Sequence, residues 1–222
     1  MIPKRLGYLL AGLAAVLVIG ILWFTTARPV VVLPRLKLAP GYGLQKADGS
    51  LFTSEDSRGV VTLYSFAYTN CGDRCQSIYS MLQSIDASLA EQPTLNPPLR
   101  FVTLTIDPTR DTPDTLSTFA LPFQPRAVEW LWLTGDAERM KLISGGGFEV
   151  LYQAQPDGSI FFDPLLVLVD GNAIIRGTYS VSRYSAEDLN TNIKLLYREI
   201  ENSSGPAHLA YEAAHFFACY PH

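Results

Sequence analysis

The sequence predicts an α/β domain carried behind an N-terminal transmembrane helix and followed by an extra C-terminal helix. Three observations carry that expectation. Leu6 to Phe24 are 19 consecutive uncharged, mostly apolar positions. From residue 60 onward, β-branched and aromatic segments alternate with segments of helical period. The first of those strands runs directly into a cysteine pair, Cys71 and Cys75, that opens a helix.

Rising about 1.5 Å per residue, the apolar run spans roughly 28 Å as a helix, close to the hydrocarbon thickness of a bilayer. Lys4 and Arg5 precede it and the next charge is Arg28. Positive charge before the span keeps the N-terminus in the cytoplasm and sends the rest outward. A cleaved signal peptide ending near Thr25-Thr26-Ala27 is the competing reading. Both readings put the domain on the extracytoplasmic side. Residues 1–27 are therefore expected as a membrane anchor through residues 6–24, residues 28–44, with Pro29, Pro34 and Pro40, as a linker, and residues 45–200 as the domain.

Within the domain, Lys46 to Ser50 suits a hairpin turn and Val60 to Tyr68 a buried strand. Ile78, Met81, Leu82, Ile85 and Leu89 recur at helical spacing after the cysteines. Arg100 to Ile106 reads as a second strand, ended by Asp107-Pro108. Thr112 caps a short helix over Pro113 to Leu121. Trp130 to Leu133 reads as a strand and Asp136 to Ser144 as a helix stopped by Gly145-Gly146-Gly147, so that residues around 112–147 form an insertion. Gly158 to Phe162 and Leu165 to Val169 are strand-like, and Asp170-Gly171-Asn172 turns into a strand over Ala173 to Tyr179. Ser185 starts a helix carrying Leu189, Ile193, Leu196 and Ile200, and residues 201–222 form a helical tail. Strand, cysteine-bearing helix, strand and helix, then a hairpin and a helix, is the order of a thioredoxin-like fold.

Composition narrows the function classes. The chain has 222 residues, room for one ordinary domain plus extras. Its net charge is -4 and its basic residues form no run beyond Lys4-Arg5, so no nucleic-acid partner is expected. An extracytoplasmic compartment lets a cysteine pair cycle between dithiol and disulfide. A thiol at a strand-to-helix junction faces the positive end of the helix dipole, which favours thiolate, the form that attacks disulfides and binds metals. Two cysteines on one turn can form a disulfide or clamp one soft metal ion. A purely structural disulfide would more ordinarily join distant segments.

Tyr68-Thr-Asn-Cys71-Gly-Asp-Arg-Cys75 after a buried strand resembles the signature of the Sco/SenC family, thioredoxin-like copper proteins that assist cytochrome oxidase assembly. Leu104-Thr-Ile-Asp107-Pro-Thr-Arg110-Asp111-Thr112-Pro113 resembles the family's second signature, and Trp132-Leu-Thr-Gly135 and Leu168-Val-Asp170 match more loosely. The resemblance covers about residues 45–200. It implies copper as the metal, Cys71 and Cys75 as thiolate ligands and redox pair, and Asp73 as the acidic residue between them. It also implies a distant histidine ligand. Counting back from Leu168-Val-Asp170, that position falls on Phe162, and phenylalanine cannot ligate a metal. Asp163 beside it offers an oxygen, a poor match for cuprous ion. Pro164 resembles the cis-proline that faces the cysteines in thioredoxins; the other reading is a strand-initial proline, tolerated because the first residue needs no ladder hydrogen bond.

The three histidines are His208, His215 and His222, all in the tail. His208, Glu212, His215 and Cys219 fall on one helix face. His215 and Cys219 could supply the missing ligand or a separate metal site, or the stripe is a solvated polar face; Cys219 could also resolve a disulfide at Cys71. Asp107, Arg110 and Asp111 are read as a capped loop without a chemical step. The resemblance implies copper-centre assembly in an oxidase, by copper transfer or by reducing the target cysteines of its copper-binding subunit. The alternatives are a general thiol-disulfide oxidoreductase acting on another cysteine-containing extracytoplasmic protein, and a redox sensor or scaffold.

Overall fold

A computed structural model describes residues 4–27, 30–91 and 95–217. The chain divides into two units. Arg35–Tyr197 holds the sheet; Met1–Pro34 and Arg198–His222 make up the other. In the latter, α1 (Lys4–Ala27) is long and apolar enough to cross a bilayer, and α6 (His208–Phe217) is the tail helix.

The sheet unit contains β1 (Lys37–Leu38), β2 (Gly43–Lys46), β3 (Leu51–Thr53), β4 (Val61–Ala67), α2 (Asp73–Ala90), β5 (Leu99–Thr105), α3 (Pro113–Phe119), β6 (Glu129–Thr134), α4 (Ala137–Lys141), β7 (Tyr152–Ala154), β8 (Ile160–Phe162), β9 (Leu165–Val169) and β10 (Ile174–Ser180). α5 (Ala186–Glu201) starts here and ends in the other unit. Eight strands form one sheet in the order β1-β10-β9-β4-β5-β6-β2-β3, while β7 and β8 pair separately. β4, β5 and β6 are parallel; β9 joins β4 antiparallel and forms a hairpin with β10. Matching mixed sheets recur in thioredoxin-like proteins, the fold the element order predicts.

β4 sits between β5 and β9, and every one of its residues is buried. A strand covered on both faces reads as a continuous apolar run rather than an alternation, which is why Val61 to Ala67 is so uniform. α2 buries Ile78, Leu82, Ile85 and Leu89, the stripe its helical spacing predicts. Tyr79 of α2, Phe119 of α3 and Trp132 of β6 meet in a triangle, with centroids 6.0, 5.6 and 5.5 Å apart. Each such ring pair contributes about 0.5–1.5 kcal/mol beyond burial, so α3 is anchored by rings despite its short length.

The structure departs from the sequence reading in three places. β1 and the start of β2 lie within the stretch expected as a linker, where Lys37 pairs with Ile175 and Leu44 with Phe52. β6 is an integral sheet strand, its Phe101–Trp130 register parallel to β5, rather than part of an insertion. The helix expected to run on to Ser144 widens after Lys141 into a π-helical turn, Leu142–Gly147, over the glycines. The Lys46–Ser50 turn appears as expected between β2 and β3.

Candidate functional site

The parallel strands β4 and β5 deliver their following loops to the same edge of the sheet, the edge where α/β folds place their chemistry. Past β4, the chain turns through Thr69 and Asn70 into Cys71. Gly72 then adopts a left-handed φ of 65°, open to glycine at little cost, and α2 begins at Asp73. Cys75 thus falls in the first turn of α2 and Cys71 just outside it. Their Cα atoms are 5.6 Å apart and the two sulfurs are joined as a disulfide. Cys75 is 1% exposed whereas Cys71 is half-buried. The residue just before the helix is thus the more accessible of the two.

The second signature holds this turn in place. Asp111 is fully buried, and its carboxylate accepts from the Thr69 backbone N–H at 3.1 and 3.3 Å, from Thr69 Oγ1 at 2.5 Å and from Thr105 Oγ1 at 2.5 Å. Thr105 Oγ1 in turn accepts from the Asp107 backbone N–H at 3.0 Å. The end of β5, the loop after it and the approach to Cys71 are thereby tied through one carboxylate. Arg110 pairs with Asp107 and donates through Nη2 to the Gly158 carbonyl at 2.8 Å, reaching the β7–β8 turn. The Tyr68 hydroxyl accepts from the Ile160 N–H at 3.0 Å and donates to the Ile160 carbonyl at 3.4 Å. Asp107, Arg110 and Asp111 do cap a loop, but Asp111 also positions the cysteine turn. That role was missed from sequence because Thr69, its partner, lies 42 residues away. Burial, and secondarily the Asp111 charge, raises the Tyr79 phenol above its ordinary value, so it stays neutral beneath the site.

The structure brings Phe162 against the cysteine turn. Its ring lies 6.2 Å from that of Tyr68, and Arg74 Nη1 donates to its carbonyl at 3.4 Å. The side chain is 2% exposed, a packed hydrocarbon where the family resemblance implies an imidazole. Asp163 is exposed and accepts from Ser180 Oγ at 3.2 Å. Asp73 is exposed on the first turn of α2, where its charge suits the helix dipole.

Of the two readings of Pro164, the structure bears out the strand-initial one. Among the described residues the cis peptide is Asn96–Pro97, and Asp163–Pro164 is trans. The Pro164 carbonyl accepts from the Val181 N–H at 2.9 Å, extending the β9–β10 ladder by one step. It is a strand-initial proline, tolerated because that position needs no ladder donor.

His215 belongs to the tail unit, where its Nε2 lies 2.9 Å from Glu199 Oε1, both side chains 8% exposed. Cys219 and His222 lie outside the described residues. Among the described residues, no group of three or more His, Cys, Asp or Glu side chains is arranged to hold a metal ion. Among the described residues, the cysteine turn offers two sulfurs as metal donors, and the neighbouring Phe162 ring and cationic Arg74 guanidinium add none.

A thioredoxin-like sheet with a cysteine pair at the strand-to-helix junction, backed by a buried aspartate, defines a class of thioredoxin-like cysteine-pair proteins. Within that class the chain belongs to the SCO1/SenC family, whose model matches residues 33–198. It is 29% identical to a mitochondrial SCO2 homolog of Bos taurus over 151 residues, which cover 66% of this chain and 54% of the relative. The chain thus spans about half the length of curated relatives it matches, a Rickettsia typhi SCO2-like protein among them. A SCO1/SenC family lipoprotein from Bacillus anthracis superposes with a TM-score of 0.65 at 25% identity, covering 72% of this chain and 95% of that one. Arabidopsis thaliana ScoI with copper bound gives 0.64 at 21% identity, covering 74% and 98%.

Proposed function

We propose that this chain assists copper-centre assembly in a respiratory oxidase by reducing a disulfide in the copper-binding subunit, with Cys71 as attacking sulfur and Cys75 as resolving sulfur. The observation that carries this reading is the asymmetry of the pair: Cys71 is half-buried and Cys75 is 1% exposed. Only the accessible sulfur can meet a partner, and only the adjacent one can release it.

In the reduced chain the Cys71 thiolate attacks one sulfur of the target disulfide. A mixed disulfide forms, the target S–S bond breaks, and the departing target thiolate takes a proton from solvent. Cys75, as thiolate, then attacks the Cys71 sulfur, closing the Cys71–Cys75 disulfide and releasing the second target thiol. Two electrons pass from the chain to the target, and an extracytoplasmic dithiol reductant of the thioredoxin class returns them.

Copper is cargo in this account. A Stutzerimonas stutzeri relative named as copper-binding supports copper as that cargo, and the freed cysteines of the target are the soft ligands cuprous ion prefers. Phe162 in place of an imidazole favours the reductive role over tight copper carriage by this chain. α1 would anchor the chain as a single span with its N-terminus in the cytoplasm and the sheet unit outside, as Lys4 and Arg5 direct.

The test mixes the reduced full-length chain, in detergent, with a small disulfide, and in parallel titrates it with cuprous ion against a chromophoric chelator. Ready disulfide reduction that needs both cysteines, with weak copper retention, supports the reading. Tight one-to-one copper binding without disulfide reduction would replace it with copper carriage. A chain inert in both assays would leave redox sensing or scaffolding as its role.

A further inference from the structure

We propose that Arg74 and Phe161 recognise a carboxylate on the target segment, next to its cysteine, which rests on the thiol–disulfide reading above. Arg74 stands between the two cysteines on the first turn of α2 and is exposed. Its guanidinium carbon lies 4.9 Å from the centroid of the Phe161 ring and 5.9 Å from that of Phe162. Nη1 donates to the Phe162 carbonyl at 3.4 Å. The ring beneath and this bond hold the planar cation in one place, and most of its five N–H donors remain for a partner.

Arg58, Arg100, Arg110, Arg139 and Arg176 are each paired with a carboxylate, whereas Arg74 is held by an aromatic ring and a backbone carbonyl. Among the described residues no carboxylate pairs with Arg74, although Asp73 adjoins it in sequence. Phe161 is 59% exposed beside it, between the buried Ile160 and Phe162. Asp73 on the same first turn already answers the positive end of α2, so the recognition rests on the Arg74 guanidinium and the ring beneath it. An ordered cation on an exposed aromatic face, one residue from the shielded cysteine, complements an acidic segment.

The experiment uses the reduced full-length chain in detergent and three synthetic disulfide peptides, identical except for Glu, Gln or Lys beside the cysteine. A partly exposed charge-assisted contact should make the Glu peptide about 3- to 10-fold faster than the Gln peptide, with the Lys peptide slower still. The gap should close in about 0.5 M salt. In Arg74→Met the Glu-to-Gln rate ratio should fall to about 1, and Arg74→Lys, which keeps the charge but not the planar fork, should give an intermediate ratio. Reading the ratio cancels any general loss of activity in a variant. Equal rates on all three peptides in the unsubstituted chain would overturn the recognition role and leave the reductase reading intact. Failure to reduce these peptides and an uncharged small disulfide alike would remove both.

Discussion

Replacing Asp111 by alanine should loosen the cysteine turn and destabilise the sheet unit together. The carboxylate is fully buried and serves Thr69 through its N–H and hydroxyl and Thr105 through its hydroxyl. Hydrogen bonds to a charged acceptor contribute about 1.5–3 kcal/mol each, and some loss is recovered when hydroxyls rotate or water enters. The net loss should be about 3–5 kcal/mol, the range for breaking a buried charged network. Asp111→Asn keeps the volume and one acceptor oxygen, but turns an N–H toward the Thr105 hydroxyl, which already accepts from Asp107 at 3.0 Å. That variant should lose about 1–3 kcal/mol. Urea unfolding of the oxidised chain, with an unchanged slope, measures both, and hydrogen exchange at the Thr69 amide reports the turn directly. A loss under about 1 kcal/mol in the alanine variant, with Thr69 still protected, would refute the claim that Asp111 links the two signatures.

Phe162→His should lower stability by about 2–4 kcal/mol, because a buried ring is exchanged for a polar one. It should also raise cuprous affinity of the reduced chain by about tenfold or more through an added imidazole donor; unchanged affinity in the chelator competition would show that position 162 does not serve the sulfurs. Tyr68→Phe should cost about 1–2 kcal/mol and unprotect the Ile160 amide, since the phenol hydroxyl holds both Ile160 backbone groups. Burial raises the phenols of Tyr42, Tyr64, Tyr79, Tyr179 and Tyr197 above the ordinary 10.0. The unfolded chain releases those protons first, so stability should hold below about pH 10 and fall as pH rises beyond it. Melting curves that stay flat well above that point would contradict the burial of these rings.

Much of the sheet was legible because its central strands are buried on both faces. Val61 to Ala67 and Leu99 to Thr105 lie within one residue of the segments that β-branched runs marked. The cysteine turn was legible for a local reason, the glycine and the helix start between the two sulfurs. β1, β2 and β3 were harder, since strands of two to four residues carry no readable period. β7 pairs with β8 in register Gln153↔Phe161, a contact no local pattern announces, so the hairpin flanking the cysteines went unread. The same holds for Asp111, whose sequence context gives a cap and whose buried partner, Thr69, belongs to another loop. Pro164 was ambiguous for the opposite reason: its position before a buried strand fits both a cis turn and a strand start, and the Val181 hydrogen bond decides for the strand.

Trapping the mixed disulfide bears most directly on the central assignment. The Cys75→Ser chain, reduced and mixed with a cysteine-containing peptide disulfide, should accumulate a stable adduct that mass spectrometry maps to Cys71, whereas Cys71→Ser should give none. An adduct that maps to Cys75, or equal trapping by both variants, would mean that the shielded sulfur is the one that meets the partner.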